Sequence, residues 1–164
     1  MGLPNNWVES NLGDVCSIHT GYGFPTHLQG KVTGQYPFYK VGDISKNVRN
    51  GCIFLNKCDN YIDDIELSDL RAKLLPVNSI VFAKIGAALK LNRRAITQTP
   101  CLVDNNVIGV KAKDGKLLDL YLYYYLKTID MGDYSRETTV PSIRSTDVEK
   151  ISIPLPLSPS STGS

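Results

Sequence analysis

The residues of this chain that are best suited to chemistry are cations and amides, and they are concentrated in one short segment. Residues 84–94 read KIGAALKLNRR and contain two lysines, two arginines and an asparagine. Lysine and arginine bind phosphate oxygens, and arginine can also donate two parallel hydrogen bonds to O6 and N7 of guanine. An asparagine amide can pair with N6 and N7 of adenine. The segment therefore has the side chains needed to hold a polyanion and to read base edges.

Acidic residues are missing from two long windows of the sequence. Neither Asp nor Glu occurs from Ala72 to Val103 or from Val15 to Gly42, although several lysines and arginines and both histidines lie there. The net charge of +2 excludes a histone-like polycation. A local cationic face can still attract phosphates, whose counterions are released on binding. The alternative is that these cations only solvate surface loops.

The candidates for contact with a polyanion come from several separate segments. Lysines would hold phosphates and set the register, while arginines and asparagines would read base edges. Asn105 and Asn106 could equally form a turn, and Ser142 could be a plain loop hydroxyl or, with Arg144, bind a phosphate beside a helix N-terminus. The predicted contact residues are Tyr22, Lys46, Arg49, Lys84, Lys90, Asn92, Arg93, Arg94, Asn105, Asn106, Ser142 and Arg144.

The motifs of several common enzyme classes are absent from the sequence. There is no phosphate-binding P-loop and no nucleophile elbow, and Gly21-Tyr22-Gly23 lacks the third glycine of a dinucleotide-binding loop. Asp147 and Glu149 have a spacing similar to that of a nuclease centre, but a helix cap explains them better. We therefore expect a binding module with no catalytic residue, no metal and no cofactor.

The cysteines and histidines show no pattern of a metal site. No C-x-x-C pair occurs, and the two histidines lack ligand spacing. A chain of 164 residues with 42% apolar content can bury a core without disulfides, so we expect free thiols at Cys16, Cys52, Cys58 and Cys101. No apolar run is long enough to cross a membrane, and no secretory signal begins the chain. We expect a soluble, cytoplasmic protein.

The elements that would position the contact residues are short and mostly strands. The clearest is a helix over residues 117–129, where Leu118, Leu122 and Tyr125 recur at helical spacing. Its four tyrosines could stack on bases or pack the helix on a sheet. The pattern predicts a mixed α/β (α+β) fold that is irregular and largely β. The other predicted elements are strands at 36–44, 53–55, 79–83, 107–110 and 151–154, a polar loop at 45–51, and short helices at 68–73 and from 145 or 146.

A series of short motifs runs nearly end to end along the chain. They are Trp7 followed by Leu12–Val15, the loop Thr20–Phe24, the run Tyr36–Ser45, the run Ile80–Ala87, the Tyr/Leu helix at 117–129, and Pro141–Ile143 leading to Ile151–Pro156. Each motif is weak by itself, but their order and spacing are fairly specific. Because of the order and spacing of these motifs, the chain resembles one target recognition domain of the DNA sequence-specificity subunit of type I restriction–modification systems.

The resemblance implies a function as well as a fold. It implies a recognition domain similar to that of some adenine DNA methyltransferases, which occurs twice in a full subunit, each copy followed by a long helix. Each domain would read one half of a two-part target in double-stranded DNA. The subunit would be non-catalytic, because methyltransferase (modification) subunits supply S-adenosylmethionine-dependent methylation and a restriction subunit supplies ATP-dependent cleavage.

The resemblance also implies domain bounds, and other functions stay open beside it. We expect one recognition domain over residues 1–157 and a low-complexity tail over 158–164, either disordered or an expression remnant. The family would continue into a spacer helix here, so we expect an excised domain or a natural truncation. The alternatives are a protein-interaction module that binds a methyltransferase subunit or a DNA-mimic inhibitor, and the specificity domain of a single-chain restriction–methylation enzyme.

Overall fold

The computed structural model describes residues 6–136 and 139–156, so the predicted tail at 158–164 lies outside the described residues. Two 3-10 helices lie at Thr26–Leu28 and Met131–Tyr134. The strands are β1 (Trp7–Asn11), β2 (Cys16–Thr20), β3 (Tyr36–Tyr39), β4 (Tyr61–Ile62), β5 (Ile80–Ala83), β6 (Ala95–Ile96), β7 (Leu102–Val103), β8 (Val107–Ala112) and β9 (Ser152–Pro156), and the helices are α1 (Leu12–Val15), α2 (Val41–Arg49), α3 (Asp64–Asp69), α4 (Gly86–Lys90), α5 (Asp119–Lys127) and α6 (Ser145–Glu149).

A four-stranded antiparallel sheet in the order β2-β8-β5-β6 lies at the centre of the fold. All four residues of β5 are buried, and so are five of the six residues of β8. This burial explains why both strands are rich in β-branched residues and lack a polar alternation. A three-stranded sheet (β4-β3-β7) and the antiparallel pair β1-β9 flank the central sheet. The mixed α/β fold predicted from the sequence is confirmed.

The predicted strand over 36–44 ends at Tyr39, and the predicted polar loop over 45–51 is wrong. Residues Val41–Arg49 form α2 instead. The Asp43 carboxylate accepts the Lys40 N–H at 2.8 Å and so satisfies a backbone donor at the helix start. Val41, Ile44 and Val48 pack towards one apolar cluster, and their spacing of three and four residues is helical.

Two more local predictions need correction. The predicted helix at 68–73 begins earlier, as α3, because Asp63 and Glu66 form a cap: the Glu66 carboxylate accepts the Asp63 N–H at 3.1 Å. The predicted strand at 53–55 contributes only an isolated bridge between Phe54 and Ile96. The strands at β5, β8 and β9 and the helices α5 and α6 are confirmed within a few residues.

Most of the tyrosines of α5 pack the helix against the rest of the protein and do not form an exposed surface on which bases could stack. The hydroxyl of Tyr121 donates to Pro154 O, and that of Tyr125 donates to Ser152 O at 2.6 Å. Tyr123 is buried in the main core, while Tyr124 is exposed. The helix is thereby held against β9, and three of its four rings are committed to the protein interior or its rim.

Candidate nucleic-acid interface

Three loops leave the central sheet at the same end. β2 ends at Thr20, which pairs with Ile108, and β5 ends at Ala83, which pairs with Val107 at the start of β8. The chain segments that follow Thr20, follow Ala83 and precede Val107 must therefore lie side by side. The two acid-free windows of the sequence meet here, although more than sixty residues separate Thr20 from Ala83.

Backbone hydrogen bonds join these loops into one band. Tyr22 N donates to Val103 O, Lys84 N donates to Asn106 O, and Ile143 N donates to Lys84 O, each at 2.9 Å. We call residues 20–24, 84–86, 104–106 and 141–143 the loop edge. Segments paired in this way lie about 4.8 Å apart, so four of them span about 15 Å. That width is similar to the roughly 12 Å of a DNA major groove.

A glycine makes the tightest approach within the loop edge. A Cβ on Gly21 would collide with the carbonyl oxygens of Val103 and Asp104. Only glycine therefore lets the 20–24 loop lie directly against residues 103–104. The glycine loop noted in the sequence thus brings Tyr22 into the band.

The Asn105-Asn106 pair forms a turn and also exposes both amides. Asp104 Oδ1 accepts the Asn106 N–H at 2.7 Å, which fixes the turn between β7 and β8. Both asparagine side chains are exposed, and neighbouring Lys84 is half-buried. Burial raises the pKa of Asp104, and Lys40 partly opposes that shift. The turn and the contact role are therefore compatible.

Helix α4 begins at the loop edge and carries part of the basic segment. Gly86 N donates to Pro141 O at 2.8 Å, and its φ of +74° is in the region that favours glycine. Lys90 is exposed and Arg93 is half-buried. Within residues 6–136 and 139–156, neither side chain is in a salt bridge. Both cations are available to a polyanion.

Arg94 is not at the surface, and its predicted contact role is corrected. Its side chain is only 1% exposed and lies 4.9 Å from the ring centroid of Phe82. The guanidinium donates to Leu126 O at 3.2 Å and to Ile129 O at 3.0 Å. Burial lowers the pKa of Arg94 to about 10, so it stays charged at neutral pH. Arg94 is a structural residue.

Asn92 also has a structural role in place of the predicted base contact. Its amide donates to Asp130 Oδ1 and to Lys90 O, both at 3.1 Å. Its carbonyl oxygen accepts from Met131 N at 2.9 Å and from Arg94 Nη2 at 3.2 Å. The amide is thus occupied on both sides by the protein itself.

Lys46 and Arg49 lie on α2 and not in a loop. Lys46 Nζ is 3.1 Å from Asp59 Oδ2, and both side chains are well exposed. Arg49 is at the C-terminal end of α2, just before Ile53, which accepts a hydrogen bond from Ile96 N. Ile96 pairs with Ile80 at the end of the central sheet away from the loop edge. The structure therefore does not group Arg49 with the other candidates.

Ser142 joins the loop edge, while Arg144 lies just beyond it. Ser142 forms an isolated antiparallel β-bridge with Ile85, and the Ser142 N–H donates to Ser135 Oγ at 2.9 Å. The predicted phosphate site at the start of α6 is corrected, because Asp147 Oδ2 already accepts the Arg144 N–H at 2.9 Å. The Arg144 side chain is exposed and remains a candidate for a charge interaction with a phosphate.

Three cations near the loop edge were missed by sequence reasoning. Lys73 N donates to Tyr22 Oη at 3.1 Å, which places Lys73 and nearby Arg71 beside the 20–24 loop. Lys40 Nζ lies 4.2 Å from the ring centroid of Phe24. Lys40 and Lys73 belong to the acid-free windows, but no local pattern could place them next to residues so distant in the chain.

The described residues contain no group of His, Cys, Asp and Glu side chains able to hold a metal ion. All four cysteines are free, as predicted, and burial raises the pKa of Cys16, Cys58 and Cys101 to about 12. These three thiols are therefore protonated and unreactive near neutral pH. In the same part of the chain no helix is long and apolar enough to span a membrane.

Two solved structures share the fold of this chain. A chain from a study of assembly and conformational transition in the type I R-M system superposes with a TM-score of 0.71, at 18% identity over 95% of this chain and 35% of that one. The HsdS subunit from Thermoanaerobacter tengcongensis superposes with a TM-score of 0.69, at 17% identity over 95% of this chain and 34% of its own. At these identities the likeness shows a common fold.

The sequence places the chain in a family. Residues 4–160 match the type I restriction modification DNA specificity domain, and the chain belongs to that family. It is 24% identical over 159 residues to the type I restriction enzyme MjaIX specificity subunit of Methanocaldococcus jannaschii. That alignment covers 96% of this chain and 35% of the relative, so the chain spans about a third of the relative's length. As a member of this family the domain is a specificity module and not an enzyme.

Proposed function

We propose that this domain recognises a short sequence in double-stranded DNA through the loop edge, and thereby reads one half of a two-part target for a type I restriction–modification complex. The observation that carries the proposal is the convergence of both acid-free windows at one end of the central sheet. Membership of the DNA specificity family supports it.

The chemistry of the loop edge favours a groove of duplex DNA. The exposed amides of Asn105 and Asn106 can pair with adenine, and Arg93 can donate to guanine. Each well-made bidentate contact contributes about 1–3 kcal/mol of discrimination against a wrong base. Lys84, at the centre of the band, would hold a phosphate and set the register.

Cations on both flanks of the loop edge would complete the footprint. Arg71 and Lys73 lie on the Tyr22 side, and Lys90 lies on the α4 side. Each phosphate contact releases counterions, so the affinity would fall steeply with salt. An isolated domain that reads a few base pairs would bind weakly by this account.

The partners follow from the proposed assignment. The domain would act with methyltransferase subunits and, through them, with a restriction subunit, in the cytoplasm. These partners would supply methylation and cleavage, and this chain would contribute the choice of sequence without a cofactor.

A second function, protein interaction, is favoured by one exposed apolar surface. Leu118 is 77% exposed and Leu120 is 53% exposed, at the start of α5. A contact there would sit away from the loop edge and could serve a methyltransferase subunit. If Leu118→Glu and Leu120→Glu leave DNA affinity unchanged but abolish binding of a co-expressed methyltransferase subunit, both functions coexist on separate surfaces.

The direct test of DNA binding removes two cations from the basic segment. A duplex selected from a random pool is titrated with the chain, and the anisotropy of its fluorescent label is followed between low and physiological salt. We expect Lys90→Ala/Arg93→Ala to weaken binding and to reduce the slope of log K against log salt by about 2.

The matched control removes two cations from the other end of the sheet. Lys113 and Lys116 are exposed and follow the end of β8 that is away from the loop edge. Lys113→Ala/Lys116→Ala changes the net charge equally and should leave most of the affinity intact. Equal losses in the two variants would overturn the assignment of the loop edge.

A further inference from the structure

A cluster of three hydrogen-bonded polar side chains, one buried, one half-buried and one exposed, lies against the basic segment. We call Asn92, Arg94 and Asp130 the clip. Asp130 lies just after α5 and accepts hydrogen bonds from Asn92 Nδ2 at 3.1 Å and from Gly132 N at 2.9 Å. Asn92 in turn accepts from Arg94 Nη2 at 3.2 Å. The clip ties the end of α4 to the 3-10 helix that follows α5.

The clip holds the backbone of the two cations that would meet DNA. Asn92 Nδ2 donates to the carbonyl of Lys90 at 3.1 Å, and Arg94 Nη1 donates to the carbonyl of Arg93 at 3.3 Å. Both candidate contact residues therefore have their peptide groups fixed by side chains that face the protein. The side chain of Lys90 is exposed and that of Arg93 is half-buried.

The conformation at the centre of the clip depends on these hydrogen bonds. Asn92 has a φ of +54°, in the left-handed region, which asparagine adopts more often than most other residues with a Cβ but still at a cost. The chain reverses here, because Asn92 N donates to Leu89 O and Arg94 then leads into β6. Loss of the Asp130 contact would remove one of the bonds that hold this reversal.

We propose that Asp130 is a positioning residue for DNA binding, since through Asn92 it sets the placement of Lys90 and Arg93. This proposal rests on the proposed function. The predicted effect is opposite to the ordinary one, because an exposed carboxylate near a DNA-binding surface repels phosphates and its removal would strengthen binding. By this account, loss of the Asp130 side-chain oxygen that accepts from Asn92 and Gly132 weakens DNA binding, even though a negative charge is lost with it.

A neighbouring aspartate provides a matched control for that charge. Asp133 lies on the same 3-10 helix, is exposed, and donates its backbone N–H to Asp130 O. Asp130→Ala and Asp133→Ala therefore change the net charge equally and close to the same place. Asp130→Asn removes the charge but keeps an oxygen that can accept from Asn92 and Gly132.

The test measures duplex affinity by fluorescence anisotropy, with the selected duplex at one low salt concentration. We expect Asp130→Ala to bind about tenfold more weakly than Asp133→Ala, equivalent to the loss of one good contact. Asp133→Ala should bind slightly more tightly than the native chain, and Asp130→Asn should bind at least as tightly as the native chain. If Asp130→Ala also binds more tightly, the charge acts only at long range and the positioning role is refuted.

A second readout does not depend on DNA. Amide hydrogen exchange of residues 88–93 should be faster in Asp130→Ala than in Asp133→Ala. Unchanged exchange would refute the clip even if the domain binds DNA as proposed. Faster exchange with unchanged affinity would show that the clip orders this segment but that the segment does not meet DNA, which also refutes the positioning role. Loss of binding in Lys90→Ala/Arg93→Ala reports on the proposed function separately.

Discussion

Two adjacent arginines in this domain have opposite surroundings. Arg94 lies over the Phe82 ring and donates to carbonyls at the C-terminal end of α5, where the partial negative charge of the helix favours a cation. Arg93 is only half-buried, and the hydrogen bond that Arg94 makes to it is to its carbonyl oxygen. One arginine therefore holds the segment, and the other is available to a ligand.

This division predicts opposite effects on stability and binding. Arg94→Met removes the donor to the Ile129 carbonyl, while the Leu126 carbonyl keeps a hydrogen bond from Ile129 N. It should lower the free energy of unfolding by about 1–3 kcal/mol, the cost of one unsatisfied buried group. Arg93→Met should change it by less than about 0.5 kcal/mol, yet should weaken DNA binding. Urea unfolding of both variants measures the difference, and equal destabilisation would contradict these separate roles.

At the scale of elements, the end of α3 combines an unfavourable backbone with a favourable charge. Ala72 N donates to Leu67 O and Arg71 N donates to Ser68 O, which leaves Arg71 in a left-handed conformation with φ of +51°. Glycine is the residue most common at this position of a helix end. The guanidinium of Arg71 is exposed and lies close in sequence to Lys73, which contacts Tyr22.

Arg71→Gly should therefore stabilise the domain while weakening its proposed function. Relief of the left-handed conformation is worth about 0.5–1 kcal/mol of unfolding free energy. Loss of one phosphate contact should reduce the salt slope of DNA binding by about 0.9. Thermal or urea unfolding and the salt titration measure the two effects.

Asn78→Gly is the control for the backbone effect alone. Asn78 also has a left-handed φ, of +67°, but it is uncharged and precedes β5 at the end away from the loop edge. This variant should leave the salt slope unchanged. A salt slope for Arg71→Gly equal to the native one would remove Arg71 from the interface.

Sequence patterns predicted the elements that have strong local signals. They failed for elements whose conformation depends on contacts that hydropathy does not show. The buried strands β5 and β8 and the helix α5 follow from β-branched runs and helical spacing. The α2 helix was misread because Asn47 and Lys46 suggested a polar loop. In the structure Asn47 is buried, and its amide donates to Asp43 O at 2.8 Å. A buried polar residue satisfied by its own helix has no signal in hydropathy.

The candidate site shows the same limit. The acid-free windows indicated segments that the fold brings together, since Tyr22 from one window and Lys84 from the other both lie in the loop edge. Composition could not show that Arg94 is inside, because its partners are carbonyls of a helix thirty residues later. Nor could it place Lys73 beside Tyr22, which depends on a hydrogen bond between segments fifty-one residues apart.

At the scale of the whole molecule, the fold separates the loop edge from the β1-β9 pair. β1 and β9 pair antiparallel, so Trp7 and Pro156, near the two ends of the described chain, lie opposite each other. Leu12 N donates to Ile151 O and ties this pair to α1 and α6. Because α1 leads into Cys16, which pairs with Ala112 at the end of β8 away from the loop edge, β1 and β9 do not cover the loop edge.

The most direct measurement of the central claim is a lysine footprint of the chain with and without its selected duplex. Lysines are acetylated at low salt, and the modified positions are quantified by mass spectrometry. We predict that DNA lowers the reactivity of Lys73, Lys84 and Lys90, near the loop edge, and leaves Lys113 and Lys116 as reactive as in the free chain. Protection of Lys113 and Lys116, with Lys73, Lys84 and Lys90 unprotected, would contradict the account.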